Sequence, residues 1–404
     1  MSTYKHFVTI SSQLYFCSSP IRLDSYNRCQ FGCVYCFSRN RATDTAVRGL
    51  KEANPLAFAK RLERVGDGVI RSALDEFLRQ RVPVQLGGLQ DPFSPMEGNK
   101  GVTLELLRIL REFKYPTLIS TKGGLFLRDE YWNELSGMDV YIRLSAAAVP
   151  ETVRLKIDAG GDRFAKTLKK IAAIASHGFP VSLRIQPVFP GFESTALRMA
   201  RHAANNGVKH VSFEYLKLGT EGMQNQCKSI SRILNVDILE RMQMRGIKRV
   251  GRDYTLVTEA KRDFLHQAKD LCRELGVKFG AGDTEFIHLS DGDGCCNGSS
   301  HYLKKATQFR ANFVGVLSNR KVGEKVRFSE ILDEWHPTMS VHSYLTTDSR
   351  GRDRTGRFDS WCSLMAHRWN GGRGPYSPEF FYGVSWTGKY DNMGFKIYEV
   401  VKTI

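Results

Sequence analysis

The sequence contains no uninterrupted apolar stretch long enough to span a bilayer, and its first residues lack the charged head and apolar block of a secretory signal. We therefore expect a cytoplasmic protein with no membrane partner. Cysteine is scarce, with nine in 404 residues. Because cytoplasmic thiols stay reduced, close cysteine spacing there indicates metal or redox chemistry and argues against a disulfide framework. Internal repeats and long low-complexity tracts are missing, which excludes repeat architectures.

Acidic residues are outnumbered in this chain. The 42 Asp and Glu residues face 59 Lys and Arg residues, which gives a formal net charge of +17. An excess of cations favours polyanionic partners, among which nucleic acid is the commonest. A basic enzyme with a small phosphate substrate has the same signature. The charge therefore favours a nucleic acid or nucleotide-like partner without specifying one.

Strand-like and helix-like segments alternate between about residues 18 and 220. Apolar runs such as Val82–Leu89 and Pro116–Thr121 are each followed by a segment with helical spacing. With the segment around Ile21–Ser25 as the first strand, we count six strand–helix units. This alternation predicts an α/β fold with a parallel sheet covered on both faces, either open and doubly wound or closed into a barrel.

The pattern changes after Gly219. We predict a core over residues 1–220, a helical extension with a Cys-Cys loop over residues 221–300, and a basic, aromatic-rich region over residues 301–404. The last two parts would together form a C-terminal α+β extension. Both boundaries rest on composition alone.

Three cysteines stand within eight positions in the stretch NRCQFGCVYCFSRN. Cys29, Cys33 and Cys36 have the spacing C-x3-C-x2-C. Three thiolates on one short loop can ligate three irons of a [4Fe–4S] cluster and leave the fourth iron open. A structural zinc site needs four ligands, and no further cysteine or histidine follows locally. An open-iron cluster is therefore favoured over a zinc site and over plain buried cysteines.

This triplet, with Tyr35 before its last cysteine, is the signature of radical S-adenosylmethionine (SAM) enzymes, and the sequence resembles that superfamily. Four blocks that follow in order, GGLQDPFSPMEG, ISTKGGLFLRD, YIRLSAA and RIQPVFPG, resemble its spore photoproduct lyase-like branch, also labelled DNA repair photolyase-like. The resemblance covers roughly residues 20–220. It implies a partial (β/α)6 TIM-type barrel, a [4Fe–4S] cluster that binds SAM, and reductive cleavage of SAM to a 5′-deoxyadenosyl radical that abstracts hydrogen. An external electron donor such as flavodoxin or ferredoxin is implied as well.

The resemblance also assigns roles to single positions. Cys29, Cys33 and Cys36 match the cluster ligands, and Tyr35 matches the aromatic near the adenine. The other implied SAM contacts fall near the carboxyl ends of predicted strands, where α/β barrels place their sites; they are Gly87, Gly88, Gln90, Asp91, Lys122, Ser145 and Arg184. Glycine would let the backbone approach the ligand. Each also has a purely structural interpretation, as a turn, a rim charge or a core hydroxyl.

The sequence differs from the spore photoproduct lyase-like branch at one position. Spore photoproduct lyases carry a hydrogen-donating cysteine near the position of Leu89, and leucine cannot donate that hydrogen. The adjacent Cys295 and Cys296, in the glycine-rich stretch DGDGCCNG, are candidates to supply the thiol. An auxiliary cluster and an inert loop are the alternatives.

Basic residues gather in two further places. One group includes Arg241, Arg245 and Arg249, and the other places Arg354 and Arg357 near Trp361. Arginine with aromatic residues suits phosphate contact and base stacking, although a solvated basic loop has the same composition.

The sequence therefore predicts a radical SAM enzyme, either a lyase or a modification enzyme, that acts on a nucleic acid or nucleotide in repair or modification. A radical SAM enzyme for a peptide or small metabolite is one alternative. A non-catalytic nucleic-acid-binding protein with a structural metal site is the other.

Overall fold

The structure is organised around one large β-sheet. The computed structural model describes residues 3–36, 38, 49–220, 222–251, 253–341, 360–371 and 377–404. The strands are β1 (Val8–Ile10), β2 (Ile21–Leu23), β3 (Val84–Leu86), β4 (Thr117–Thr121), β5 (Val140–Ala148), β6 (Val181–Val188), β7 (His210–Tyr215), β8 (Leu218–Gly219), β9 (Ile247–Val250), β10 (Asp253–Leu256), β11 (Lys278–Ala281), β12 (Lys325–Val326), β13 (Val384–Tyr390) and β14 (Lys396–Val400).

Eight of these strands form the large sheet, in the order β1-β2-β3-β4-β5-β6-β7-β11. Strands β2 to β7 run parallel in chain order, and β11 continues the sheet parallel to β7. Strand β1 pairs antiparallel with β2 at the other edge. The six predicted parallel strands and the α/β class are thus confirmed. Because β1 and β11 are the two ends of this order, the barrel is a partial one.

The α-helices of the described residues lie around this sheet and in the segments beyond it. They are α1 (Pro55–Gly66), α2 (Ala73–Arg79), α3 (Glu97–Lys100), α4 (Val102–Glu112), α5 (Asp129–Leu135), α6 (Glu151–Ile157), α7 (Phe164–Ser176), α8 (Glu193–Ala204), α9 (Met223–Leu234), α10 (Ile238–Arg245), α11 (Thr258–Glu274), α12 (Asp291–Gly294), α13 (Ser299–Tyr302), α14 (Phe313–Leu317), α15 (Ser329–Leu332) and α16 (Trp361–Gly371). Helix α4 is amphipathic, because its buried residues Leu106, Leu107 and Leu110 recur at helical spacing and so share one face.

A segment beyond the barrel closes the amino-terminal end of its interior. Leu118 and Tyr141, near the starts of β4 and β5, pack with Leu303 in a small buried cluster. The ring of Tyr302 stacks on that of Tyr141, with 5.1 Å between the ring centroids. We call residues 295–306 the plug segment. It makes the barrel interior a cavity that is open toward the carboxyl ends of the strands.

Beyond β7 the chain forms two small antiparallel sheets, β8-β10-β9 and β12-β14-β13, and helix α16. Phe77 of α2 meets Phe309 and Trp335 edge to face, at centroid distances of 5.0 and 5.3 Å. The division into residues 1–220, 221–300 and 301–404 stays a prediction, and β11 of the middle part is a strand of the barrel sheet. In the described part of the chain, every helix is too short or too polar to cross a membrane.

Candidate active site in the barrel cavity

A cavity of about 330 Å³ lies inside the partial barrel. Its wall brings together the three cysteines of the triplet and every side chain or glycine that the resemblance assigns to SAM: Cys29, Cys33, Cys36, Tyr35, Gly87, Gly88, Gln90, Asp91, Lys122, Ser145 and Arg184. These residues come from five separate parts of the chain. The parallel strands place them together because their carboxyl ends meet at one edge of the barrel.

The loop that carries the triplet is fixed to the segment after α6. The amide of Gly32 donates to the carbonyl of Ala159 at 2.9 Å, and that of Val34 donates to the carbonyl of Ile157 at 3.1 Å. A tight turn follows, in which the Cys36 amide donates to the Cys33 carbonyl at 3.2 Å. The loop conformation is therefore set by backbone contacts with a distant segment, and the thiols are left for the cavity.

All nine cysteines are free thiols. Cys33 is 5% exposed, and burial raises the pKa of Cys29 to about 12 and that of Cys33 to about 11. Iron binds the thiolate, so that loading the site would release these protons. Within the described ranges no three Cys, His, Asp or Glu side chains are close enough to share one metal ion. A [4Fe–4S] cluster does not require three side chains around one ion, because each thiolate binds a different iron.

Asp158 links the triplet loop to the barrel, and the sequence analysis did not find it. The Tyr35 hydroxyl donates to its Oδ1, and Lys122 Nζ donates to the same oxygen at 2.9 Å. Its Oδ2 accepts the amide of Ala147 at 3.0 Å. Burial alone would raise the pKa of Asp158, but the ammonium group of Lys122 and the hydrogen bonds from Ala147 and Tyr35 together outweigh it, and the pKa is lowered. One buried carboxylate thus holds the aromatic ring, the lysine and the end of β5 in fixed positions.

The glycines after β3 are required by the protein's own packing. Gly87 has φ +88°, and a Cβ there would meet the carbonyl of Ser120 and lie 2.7 Å from Pro92 Cδ. A Cβ at Gly88 would lie 2.8 Å from Cδ of Arg22. Both glycines line the cavity. The reason for glycine is therefore contact with neighbouring strands, in addition to any ligand that the backbone meets.

The two polar residues after these glycines differ in their bonding. Gln90 is 5% exposed, and both its amide nitrogen and its amide oxygen lack a hydrogen-bond partner among the described residues. Asp91 accepts from Thr121 Oγ1 at 2.7 Å, the Lys122 amide at 2.6 Å and the Phe93 amide at 3.0 Å. Gln90 thus presents polar atoms that a ligand would satisfy, whereas Asp91 braces the ends of β3 and β4.

Arg184 already has a counter-ion inside the protein. Its guanidinium donates to Glu214, which also accepts from Lys217 Nζ at 2.6 Å. Burial alone would raise the pKa of Glu214, but Lys217 and Arg184 lower it to about 2. The predicted contact of Arg184 with the SAM carboxylate is therefore less favourable than that of Lys122, whose Nζ also reaches the Ser145 carbonyl at 3.4 Å.

These residues fit the two groups that the sequence predicts. Three free thiols on a fixed loop suit an iron–sulfur cluster with one open iron. The unpartnered amide of Gln90, the ammonium of Lys122 and the hydroxyl of Ser145 stand beside them on the same cavity wall and suit a zwitterionic ligand such as SAM.

Comparison with known proteins also indicates a radical SAM domain. Residues 23–203 match the family model of the radical SAM superfamily. The fold is that of spore photoproduct lyase: in its complex with dinucleoside spore photoproduct, the likeness has a TM-score of 0.52 and 12% identity and covers 69% of this chain and 80% of that one. For a mutant of that enzyme with bound AdoMet and dinucleoside spore photoproduct, the TM-score is 0.50 and the identity is 12%. The likeness covers 66% of this chain and 79% of that one. A search among curated proteins gave no match.

Residues 23–203 therefore form a domain of the radical SAM superfamily, and the chain has the fold of spore photoproduct lyase. Its cofactors are a [4Fe–4S] cluster and SAM.

The two adjacent cysteines of the DGDGCCNG stretch point to different places. Cys295 has an extended backbone with φ −85° and ψ 100°, in which neighbouring side chains alternate in direction. Its thiol lies outside the cavity wall and donates to Asn297 Oδ1 at 2.7 Å. Cys296 lines the cavity, and burial raises the pKa of its thiol to about 11. The structure thus separates the candidate pair and leaves Cys296 in the position of a protonated thiol at the site.

Each of the described arginines that were predicted to bind nucleic acid has a contact within the protein. Arg241 lies over the Phe192 ring at 5.8 Å and donates to the Pro190 carbonyl at 3.2 Å. Arg245 pairs with Glu193, and Arg249 is exposed and donates to the carbonyl of Gly251 at 3.0 Å. Arg354 and Arg357 lie outside the described residues.

Trp361 requires a correction. It is 1% exposed, its indole N–H donates to the Ala311 carbonyl at 2.9 Å, and its ring stacks on Tyr15 with 5.6 Å between centroids. A ring inside the core cannot stack on a base. The sequence analysis grouped Trp361 with basic residues as a candidate for base stacking, but Trp361 begins helix α16 and lies in the core.

Proposed function

We propose that this radical SAM enzyme abstracts a hydrogen atom from carbon in a nucleotide or nucleic-acid substrate within the barrel cavity, and that Cys296 returns a hydrogen atom to the resulting substrate radical. The observation that carries the proposal is the shared cavity wall, on which the triplet, Gln90, Lys122 and Cys296 all stand. The bound cluster and SAM supply the carbon-centred radical. The chain's own residues orient the substrate, exclude water and provide the thiol.

The position of Cys296 supports its role. The triplet loop lies at the carboxyl ends of the strands, whereas Cys296 belongs to the plug segment that closes the opposite end. A substrate between them would have the site of hydrogen abstraction on one side and the thiol that returns hydrogen on the other. In the donation, the S–H bond of Cys296 breaks and a C–H bond forms on the substrate. The sulfur radical that is left needs one electron from an external donor, such as flavodoxin or ferredoxin in the cytoplasm, and one proton from solvent.

Two further observations support a nucleotide or nucleic acid, in repair or modification. The net charge of +17 favours a polyanion. Two solved structures of spore photoproduct lyase, which shares the fold, hold a dinucleoside spore photoproduct. One observation favours a second candidate, a small anionic metabolite: Trp361 is buried in the core, and Arg241 and Arg245 already have partners within the protein, the Pro190 carbonyl and Glu193.

Substrate-dependent formation of 5′-deoxyadenosine tests the substrate class. The anaerobically reconstituted enzyme is incubated with SAM and dithionite, alone and with DNA, RNA, nucleoside monophosphates or a peptide digest. We expect nucleic acid or nucleotide to raise the rate, and we expect this increase to fall with added salt for a polymer. An increase with peptides alone would move the enzyme to the peptide alternative and contradict the proposed class.

The Cys296→Ala variant tests the hydrogen donor. In D2O the exchangeable thiol of the wild-type enzyme delivers one deuterium atom to the product, and C296A is expected to lose this deuterated product while 5′-deoxyadenosine still forms. The matched control is Cys295→Ala, whose thiol is hydrogen-bonded to Asn297 and does not line the cavity; it should keep the label. Equal labelling of product by C296A and the wild type would rule Cys296 out.

A further inference from the structure

Arg143 lies deeper in the barrel than the residues assigned to SAM. It stands on β5, two residues before Ser145 and with its side chain on the same face, which places it about 6.6 Å closer to the plug segment. The side chain lines the cavity, although the residue is only 4% exposed. Neither composition nor family resemblance singled it out.

Among the residues that the structure describes, its guanidinium has only a neutral hydrogen-bond partner, Ser120. Nε and Nη2 donate to the hydroxyl of Ser120 at 3.2 and 2.9 Å. None of the acidic residues that the structure describes forms an ion pair with Arg143, and Glu214, which belongs to the same cavity wall, pairs with Arg184 and Lys217. Cys296 and Tyr141 are protonated neighbours, since burial raises the pKa of each. Arg143 therefore lines the cavity without a counter-ion among the residues that the structure describes.

A buried charge without a counter-ion is unfavourable in a folded protein. Burial, together with the nearby charge of Arg184, lowers the pKa of Arg143 to about 10, so that the group stays charged at neutral pH. Folding alone does not explain such a residue, because an apolar side chain of similar size would fill the site at lower free energy. A ligand that brings a negative charge would explain it.

We propose that Arg143 is the anchor for an anionic group of the substrate, which is a phosphate or a carboxylate. This group would lie between the residues assigned to SAM and the plug segment. The proposal rests on the proposed function and deepens it, because it assigns the substrate's charged end to the plug side and its reacting carbon to the space between Arg143 and the triplet loop. The planar guanidinium, oriented by Ser120, can present its remaining N–H groups to two oxygens of one anion. SAM would keep its own partners, Gln90 and Lys122.

The test compares reconstituted wild type with Arg143→Met and with Arg143→Lys, which keeps the charge but not the planar donor set. Thermal unfolding is followed at constant ionic strength while inorganic phosphate or acetate replaces chloride. Arg232→Met, an exposed arginine on α9 that is absent from the cavity wall, controls for loss of one positive charge. SAM affinity and substrate-free 5′-deoxyadenosine formation are measured on the same samples.

We expect R143M to bind the better anion roughly 10- to 100-fold more weakly than the wild type does, and R232M to bind it unchanged. In chloride alone, the melting temperature of R143M should be equal to or above that of the wild type, since the uncompensated buried charge is gone. The anion that protects the wild type more strongly, phosphate or acetate, identifies the substrate group. SAM affinity should stay within about threefold, because the anchor lies below the SAM partners.

Two results would overturn the anchor. Undiminished anion protection in R143M, or in R143K should R143M fail to fold, would mean that the anion binds elsewhere. A large loss of SAM affinity with anion protection retained would assign Arg143 to the SAM carboxylate. Substrate-free 5′-deoxyadenosine formation separates these from a failure of the proposed function: its absence in the wild type would count against radical SAM chemistry, whereas its presence in R143M leaves only the anchor in question.

Discussion

Alanine at Cys29, Cys33 or Cys36, replaced one at a time, is expected to reduce the iron content of the reconstituted protein from about four atoms per chain to near zero and to abolish 5′-deoxyadenosine formation. Each thiolate binds a different iron, so the loss of one removes a corner of the cluster that no other described thiol of the triplet loop can replace. Iron analysis, the visible absorption of the cluster and the yield of 5′-deoxyadenosine from SAM and dithionite check this together.

Cys272→Ala is the matched control. Cys272 is a fully buried thiol on α11, remote from the cavity wall, and its replacement should leave the iron content and SAM cleavage unchanged. A full complement of iron in the Cys29 variant would contradict the assignment of that ligand. Zinc in place of iron in anaerobically purified wild type would contradict the cluster itself.

The parts of the fold that sequence could predict are those encoded within single segments. Each of the six parallel strands, β2 to β7, is an apolar run followed by a helical pattern, and this signal is local. Strand β11 was missed because only four residues, Lys278–Ala281, pair with β7 across more than sixty intervening positions. Strand β1 has three residues at a sheet edge, too few for a periodicity.

The same distinction applies to the site. The triplet is a local pattern, and the sequence therefore gives its position and spacing directly. Asp158 acts through Tyr35 and Lys122, which lie 123 and 36 residues away along the chain, and nothing near it marks that role. Arg143 stands in the predicted strand block YIRLSAA, and its isolation depends on which carboxylates the other strands bring near. The different directions of Cys295 and Cys296 likewise follow from backbone angles that composition does not encode.

Asp158→Asn is expected to lower the free energy of unfolding by about 3–5 kcal/mol and to weaken SAM binding at the same time. The variant keeps the size of the side chain but leaves Lys122 Nζ, with a side chain 15% exposed, without its counter-ion, and it places an amide where Tyr35 and Ala147 both donate. A buried charge that loses one partner costs far more than an exposed pair does. Urea denaturation and SAM titration of the reconstituted protein measure the two effects.

The control for this variant is Asp270→Asn, which breaks the exposed pair of Asp270 with Arg273 on α11. It should change the urea midpoint little, because exposed pairs contribute at most about 1 kcal/mol. If D158N and D270N shift the midpoint equally, the buried carboxylate does not hold the triplet loop to the barrel. If D158N is less stable but binds SAM as the wild type does, Asp158 supports the fold alone, and the positions of Tyr35 and Lys122 must be set by other contacts.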